Sequence, residues 1–196
     1  MVFPLSFLSA FLTFLRRGTF YRDLCCCLQA VDTAPFIPHR FVATLIVAED
    51  HRNNLHPGVD PIAILRAIFV FVKTGRLQGA STIEQQFVRV VLHCYERTFK
   101  RKFREQLLAI ALTKYRKKEE IAMSYLAIAY YGSGKYGISA LRSEIKNELS
   151  FAEQQQISYL IAKLKYPEPS IKTVVWAEKV EKRVNYISQC LVKFSG

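Results

Sequence analysis

The 196 residues hold no convincing run of alternating polar and apolar side chains, the mark of a half-buried strand. No internal period recurs, which excludes a solenoid or repeat array. With 8 glycines and 7 prolines against 51% hydrophobic residues, the chain is neither fibrous nor disordered. Its five cysteines, three of them consecutive at Cys25 to Cys27, show no Cys-x-x-Cys or Cys/His spacing, so a zinc site has no ligand set. They are expected as free, mostly buried thiols. No apolar run reaches the roughly 20 residues of a spanning helix. Acidic residues are scarce too: 16 against 28 Lys and Arg, a formal charge of +12. Such an excess calls for an anionic partner, whether nucleic acid, anionic lipid headgroups or a phosphorylated substrate.

What is present reads as one domain with a proper core. Residues 2–15, VFPLSFLSAFLTFL, are apolar and aromatic and closed by Arg16 and Arg17. The run lacks the basic start and small-residue cleavage site of a secretory signal. It suits the end of a membrane anchor, a segment lying in the interface, or an ordinary core helix. Asp32 to Pro38 is a connector with two prolines. Arg40 to Ala48 is expected as a helix, with Phe41, Leu45 and Ala48 on one face and Pro38 just ahead of it. Glu49 then stands at the end of a buried helix, where apolar surroundings suit a carboxylate to proton abstraction. A solvated helix end is the plainer reading of that stretch taken alone.

Pro61 to Lys73 is apolar nearly all round, so it is expected to be buried in protein or lipid, and Gly75 ends it. In Gly79-Ala80-Ser81-Thr82-Ile83-Glu84-Gln85-Gln86, the pair Ser81 and Glu84 reads as a capping box opening a helix to about His93. Its first turn offers backbone N–H groups and polar side chains to a polar or anionic ligand. From Glu96 to Lys118 the chain is strongly basic. As a helix it places Arg101, Glu105, Leu108 and Leu112 on one face, with Lys102 beside Glu105. A carboxylate among several cations stays ionised, and binds or orients more readily than it donates a proton.

Further helices are expected at Lys118 to Tyr131, from the Ser150/Glu153 capping box to Lys165, and at Thr173 to Lys193. The last has Val175, Ala177, Val180, Val184 and Ile187 as core contacts. Gly132-x-Gly134-x-x-Gly137 comes after a helix and no strand, so it is no dinucleotide turn. The fold class is all-α.

Taken together, the three stretches resemble the peptidoglycan glycosyltransferase family, the lipid II polymerases. Glu49, Asp50, His56, Gly58 and Asp60 fit the family's first motif, and Arg66-Ala67 the run beyond it. Gly79 to Gln86 is the second motif complete, and Glu96-Arg97 with Arg101-Lys102-Phe103-Arg104-Glu105 the third. Lys118-Glu119-Glu120-Ile121 through Tyr125-Leu126 resembles the fourth, and Gly132 to Gly137 the stretch just beyond it. The likeness spans residues 35–168 in order and spacing, and leaves no room for a transpeptidase domain. Three positions depart from the pattern. Asn53 replaces a Phe, Asn54 stands where a second aromatic is frequent, and Ala127 replaces an Asn.

The resemblance implies a lysozyme-like helical fold with a large lobe and a smaller hydrophobic, membrane-facing lobe. Residues 1–34 would be a membrane-associated segment and connector, and 35–196 the glycosyltransferase domain. It implies that Glu49 is the general base and Glu105 the second essential carboxylate. Asp50, His56, Gly58, Arg66, Gly79, Ser81, Thr82, Gln85, Gln86, Arg89, Arg97, Arg101 and Lys102 would bind substrate, with Arg89 standing where the family tends to have Lys. The expected partners are lipid II, the growing glycan strand, the membrane and other cell-wall synthesis proteins. The place implied is the bacterial cytoplasmic membrane, with the site on its outer face.

No cofactor is required by this reading, Mg2+ or Mn2+ being the possible additions, and no protein-ligated metal is expected. A member that binds lipid II without turnover is the alternative. A lytic muramidase leaves the cationic helix around Glu105 unexplained. A nucleic-acid partner is disfavoured because the basic residues cluster with a carboxylate and glutamines instead of interleaved aromatics.

Overall fold

The computed structural model describes residues 18–144 and 153–194. The apolar segment at residues 2–15 and the cap expected at Ser150 lie outside them. The described chain is helical, with one small hairpin. In order come α1 (Thr19–Asp32), α2 (His39–Glu49), a 3-10 turn (Asn53–Leu55), α3 (Pro61–Thr74), α4 (Ile83–Val91), α5 (Phe99–Leu112) and α6 (Lys118–Ile128). The hairpin β1 (Tyr130–Gly132) and β2 (Lys135–Tyr136) comes next, then α7 (Gly137–Glu144), α8 (Gln154–Lys165) and α9 (Val174–Phe194).

Helix starts obey local chemistry. Asp60 accepts from the N–H groups of Ile62 and Ala63 at 2.9 and 3.1 Å, and Pro61 supplies the preset φ of a first helical residue. Gly75, at φ 68°, ends α3. The cap of α4 is Thr82, whose hydroxyl accepts from Gln85 N–H, and not Ser81 as the capping box implied. The Ser81 hydroxyl faces another helix instead, and Glu84 turns inward and is fully buried. The basic segment starts its helix at Phe99, behind Thr98, and stops at Leu112.

One core gathers Phe41 and Leu45 of α2, Ile83 and Phe87 of α4, Leu108 and Leu112 of α5, Ile121 and Leu126 of α6, and Ile157 and Ile161 of α8, all without exposure. Helix α1 joins it through Leu24, Cys27 and Val31. Arg104 pairs with Asp23, and Arg116 grips both oxygens of Asp32 at 2.7 Å, tying α1 to the chain around α5. Cys27 is the one buried thiol of five, with burial pushing it up to about 12; Cys25 and Cys26 are exposed, contrary to the expected burial. On α9, Val180 and Ile187 are buried and Val184 partly so. Val175 and Ala177 are exposed and make no core.

Two findings depart from the sequence pattern more sharply. The Gly132–Gly137 string builds a hairpin and not only a break. Gly132, at φ 144°, lies so close to Glu168 that no side chain fits. Helix α3 is not buried in protein. Only Ala63 is buried, while Ile62, Leu65, Ile68, Phe69, Phe71 and Val72 are each more than half exposed. Each such side chain in water forgoes roughly 1.5–3 kcal/mol of burial free energy. Among the described residues no helix is long and apolar enough to cross a membrane.

Candidate active site

Helix α4 is the hinge of the site. Its consecutive Gln85 and Gln86 leave the helix toward two different carboxylates. Gln86 accepts from the Tyr125 hydroxyl at 2.9 Å and directs its amide N–H to Glu49 Oε2 at 3.5 Å. Burial, with the Glu49 carboxylate adding to it, raises the Tyr125 phenol, so it remains a donor at neutral pH. Gln85 accepts from the Lys102 ammonium, which also donates to Ser81 Oγ at 3.0 Å and reaches Glu105 Oε1 at 3.2 Å.

Glu105 is buried on α5 and enclosed by cations. Arg89 Nη2 lies 2.8 Å from Oε1, and Arg101, one turn before Glu105, pairs with Oε2. Three cations against one carboxylate leave two positive charges in a partly dry pocket. Burial holds the Lys102 ammonium below its ordinary range, and the Glu105 carboxylate only partly offsets this. Gln85 Nε2 and Arg101 Nε are buried donors without a protein partner. The pocket therefore suits an anionic ligand.

Glu49 ends α2 as expected, but its surroundings are not apolar. Arg183 of α9 donates to Glu49 Oε1 and to the Ala48 carbonyl, both at 2.7 Å. One carboxylate oxygen is thus fixed by a guanidinium and the other faces Gln86. Arg183 lies in the helix expected at Thr173 to Lys193 but outside the three motif stretches, and no local signal marks it. Folding alone brings it 134 residues back along the chain.

Behind Glu49 a buried polar network sets the loop from Asp50 to Asp60. Asp50 accepts from His56 Nε2 at 3.0 Å and from Ile83 N–H at 3.3 Å. His56 Nδ1 accepts from Gly58 N–H at 3.2 Å, which fixes the proton on Nε2. Gly58, at φ 92°, lies against Ala109, where an added Cβ would stand 2.6 Å from the carbonyl oxygen. Its own carbonyl accepts from the Thr82 hydroxyl at 2.7 Å, joining the first motif to the second. Asn53, in place of an aromatic, is almost wholly buried. Its amide donates to Asp50 Oδ2 at 3.3 Å and Glu84 Oε1 at 3.1 Å, while Lys118 meets Glu84 at 2.9 Å. The departure from the motif is thus absorbed by a bridge between two carboxylates.

Asp50, His56 and Glu84 bring one ligand atom each within 4.8 Å. They fit a divalent ion poorly, because the tautomer puts a proton on His56 Nε2 and the Lys118 ammonium already stands against Glu84 and His56. Glu105, with three cations, fits one no better.

The expected residues Glu49, Asp50, His56, Gly58, Ser81, Thr82, Gln85, Gln86, Arg89, Arg101, Lys102 and Glu105 are thus joined by contacts. Gly79, Arg66 and Arg97 are exposed and bonded to none of them. Arg66 faces Tyr186 of α9 electrostatically instead.

This constellation has relatives. The family model described as Transglycosylase matches residues 29–192. The chain belongs to the transglycosylase family. These are the peptidoglycan glycosyltransferases that the motifs resemble, and theirs is the lysozyme-like helical fold. Penicillin-binding protein 1A of Aquifex aeolicus (strain VF5) is 41% identical over 105 residues, 53% of this chain and 14% of that protein. The protein of the same name from Haemophilus influenzae is 38% identical over 129 residues, 63% of this chain and 15% of that one. That of Escherichia coli (strain K12) is 43% identical over 105 residues, 53% of this chain and 12% of its own length. The transglycosylase chain thus spans well under a fifth of these relatives.

Proposed function

We infer that the protein is a peptidoglycan glycosyltransferase that polymerises lipid II. The observation that carries this reading is the placing of Glu49 and the Glu105 cation cluster on either side of Gln85 and Gln86. Glu49 Oε2 takes the proton from the 4-hydroxyl of the acceptor sugar. That oxygen bonds to the anomeric carbon of the donor as its bond to the lipid pyrophosphate breaks. A single displacement at an α-linked donor gives a β-1,4 bond with inversion. Arg89, Arg101 and Lys102 stabilise the charge that develops on the departing pyrophosphate, where fixed cations in a water-poor pocket act most strongly. Mg2+ or Mn2+ has no step in this scheme.

The exposed apolar face of α3 and the charge of +12 support seating on the anionic outer leaflet of the cytoplasmic membrane, where lipid II presents its sugars. Other cell-wall synthesis proteins would act beside it there. Incubating the full chain in detergent with lipid II and resolving the products by gel tests the reading. Glycan strands that a muramidase digests are expected. Lipid II binding with no polymer would favour the non-catalytic alternative, and neither binding nor polymer would overturn both.

A further inference from the structure

Helix α4 reaches Glu49 by two routes. Gln86 meets Glu49 Oε2 directly, while Glu84, two residues earlier, enters the buried network behind the base. Glu84 is wholly buried and meets the Lys118 ammonium of α6 at 2.9 Å. Lys118 Nζ also bonds the Asn53 carbonyl and stands 3.3 Å from His56 Nδ1. The Asn53 amide carries the contact onward, donating to Glu84 Oε1 at 3.1 Å and to Asp50 Oδ2 at 3.3 Å. Asp50 follows Glu49 and closes α2, its own N–H bonded to the Ile46 carbonyl at 2.9 Å. Ile83 N–H, beside Glu84 on α4, donates to the same Asp50 oxygen. Glu84 and Lys118 are therefore linked to the base through Asn53 and Asp50.

Cover alone does not call for this arrangement. Asn53 stands where the motif has an aromatic, and an apolar side chain fills space without charge. Burying the Glu84 carboxylate in the same network as Asp50 costs free energy. It also leaves Asn53 Oδ1 and Glu84 Oε2 buried without a protein partner. What a hydrogen-bonded bridge supplies and an apolar filler does not is direction, since hydrogen bonds constrain angles as well as distances. We propose that Glu84 and Lys118 are positioning residues of the reaction, acting through Asn53 and Asp50 to aim Glu49. This rests on the polymerase reading for the reaction itself, and adds to it two residues outside the set that the motifs implied.

The test compares the full chain in detergent as wild type, Glu84→Gln, Glu84→Gln/Lys118→Met and Asn53→Leu, with melting temperature as the check on folding. Glu84→Gln keeps the shape and strands the Lys118 charge. It should lower kcat about tenfold, with KM changed less than about twofold. Removing both charges relieves the stranded cation, so the double variant should melt close to wild type while its kcat stays low. Asn53→Leu fills the space, leaves the ion pair intact and should lower kcat to a similar extent. A double variant that regains kcat along with its melting temperature would make the pair merely structural and overturn the proposal. Wild-type kcat in Glu84→Gln or Asn53→Leu, or a loss carried by KM, would overturn it too. A second readout needs no turnover: the Glu49 carboxyl carbon and the Gln86 side-chain amide, followed by NMR without substrate. Both signals should shift in Glu84→Gln and in Asn53→Leu, and signals that stay in place overturn the proposal. Absent glycan from wild type fails the polymerase reading alone, and those signals then decide the positioning.

Discussion

At the scale of single residues, the guanidinium on Glu49 carries the most consequence. A carboxylate with one oxygen held at 2.7 Å by Arg183 presents the other in a fixed direction. Arg183→Met should lower kcat by about 10- to 100-fold, the worth of one hydrogen bond between charged groups, with a smaller change in KM. Arg183→Lys should restore part of it, because charge returns without the second contact to Ala48. A variant as active as wild type would remove Arg183 from the machinery. Lys102 gives a pH prediction. Its ammonium, lowered by burial from an ordinary 10.5, loses its proton sooner than a free lysine would. Polymerisation should therefore decline on the alkaline side below pH 10.5, and Lys102→Arg should move that decline upward. The motif residues were legible through the family resemblance, whose order and spacing Glu49, Gln86 and Glu105 keep. Arg183 was not legible, since 134 residues separate it from Glu49 and its neighbours Lys182 and Val184 mark nothing. Asn53 was legible as a departure but not as a bridge, because both partner carboxylates had first to be turned inward.

At the scale of elements, boundaries turned on which hydroxyl reached the backbone. Ser81 and Thr82 both fit an N-cap, and Thr82 takes the role while Ser81 serves Lys102. The hairpin was hidden because its strands are only three and two residues long. It is held by a buried ionic knot below it. Lys163, without exposure, meets Glu168 at 2.6 Å, and Lys135 and Lys172 meet it at 3.2 and 3.0 Å. Burial pushes the Glu168 carboxyl up, but the hydrogen bonds from Lys163, Lys172 and Lys135 outweigh it and hold the group at about 2. Since the folded value lies below the ordinary 4.5, this contribution to stability is full above pH 4.5 and is lost as pH falls toward 2. Denaturant unfolding across that range should show the decline. Lys163→Met should cost about 1.5–3 kcal/mol at neutral pH and make the decline shallower, Lys135 and Lys172 still holding Glu168. An unchanged pH profile in the variant would show that Lys163 contributes nothing to the knot.

At the scale of the whole molecule, helix composition gave the architecture, and the apolar character of α3 led to the expectation of burial in protein or lipid. The sequence could not say that this cover is absent from the protein's own core. Which of several apolar helices the fold leaves outside depends on packing among distant segments. If α3 seats on lipid, Phe69→Asp/Val72→Asp should release the protein from vesicles containing anionic lipid and leave its melting temperature nearly unchanged, as both side chains are exposed. Undiminished vesicle binding would assign membrane contact elsewhere.

The account as a whole stands on Glu49 as the base, with the Glu105 cluster receiving the leaving group. Lipid II polymerisation by wild type and Glu49→Gln, measured side by side, tests that claim most directly. Glu49→Gln keeps the shape and removes the proton acceptor. Its rate should fall by about 10²- to 10⁴-fold or more, with melting temperature and lipid II binding retained. A variant that polymerises within a few-fold of wild type would contradict the account.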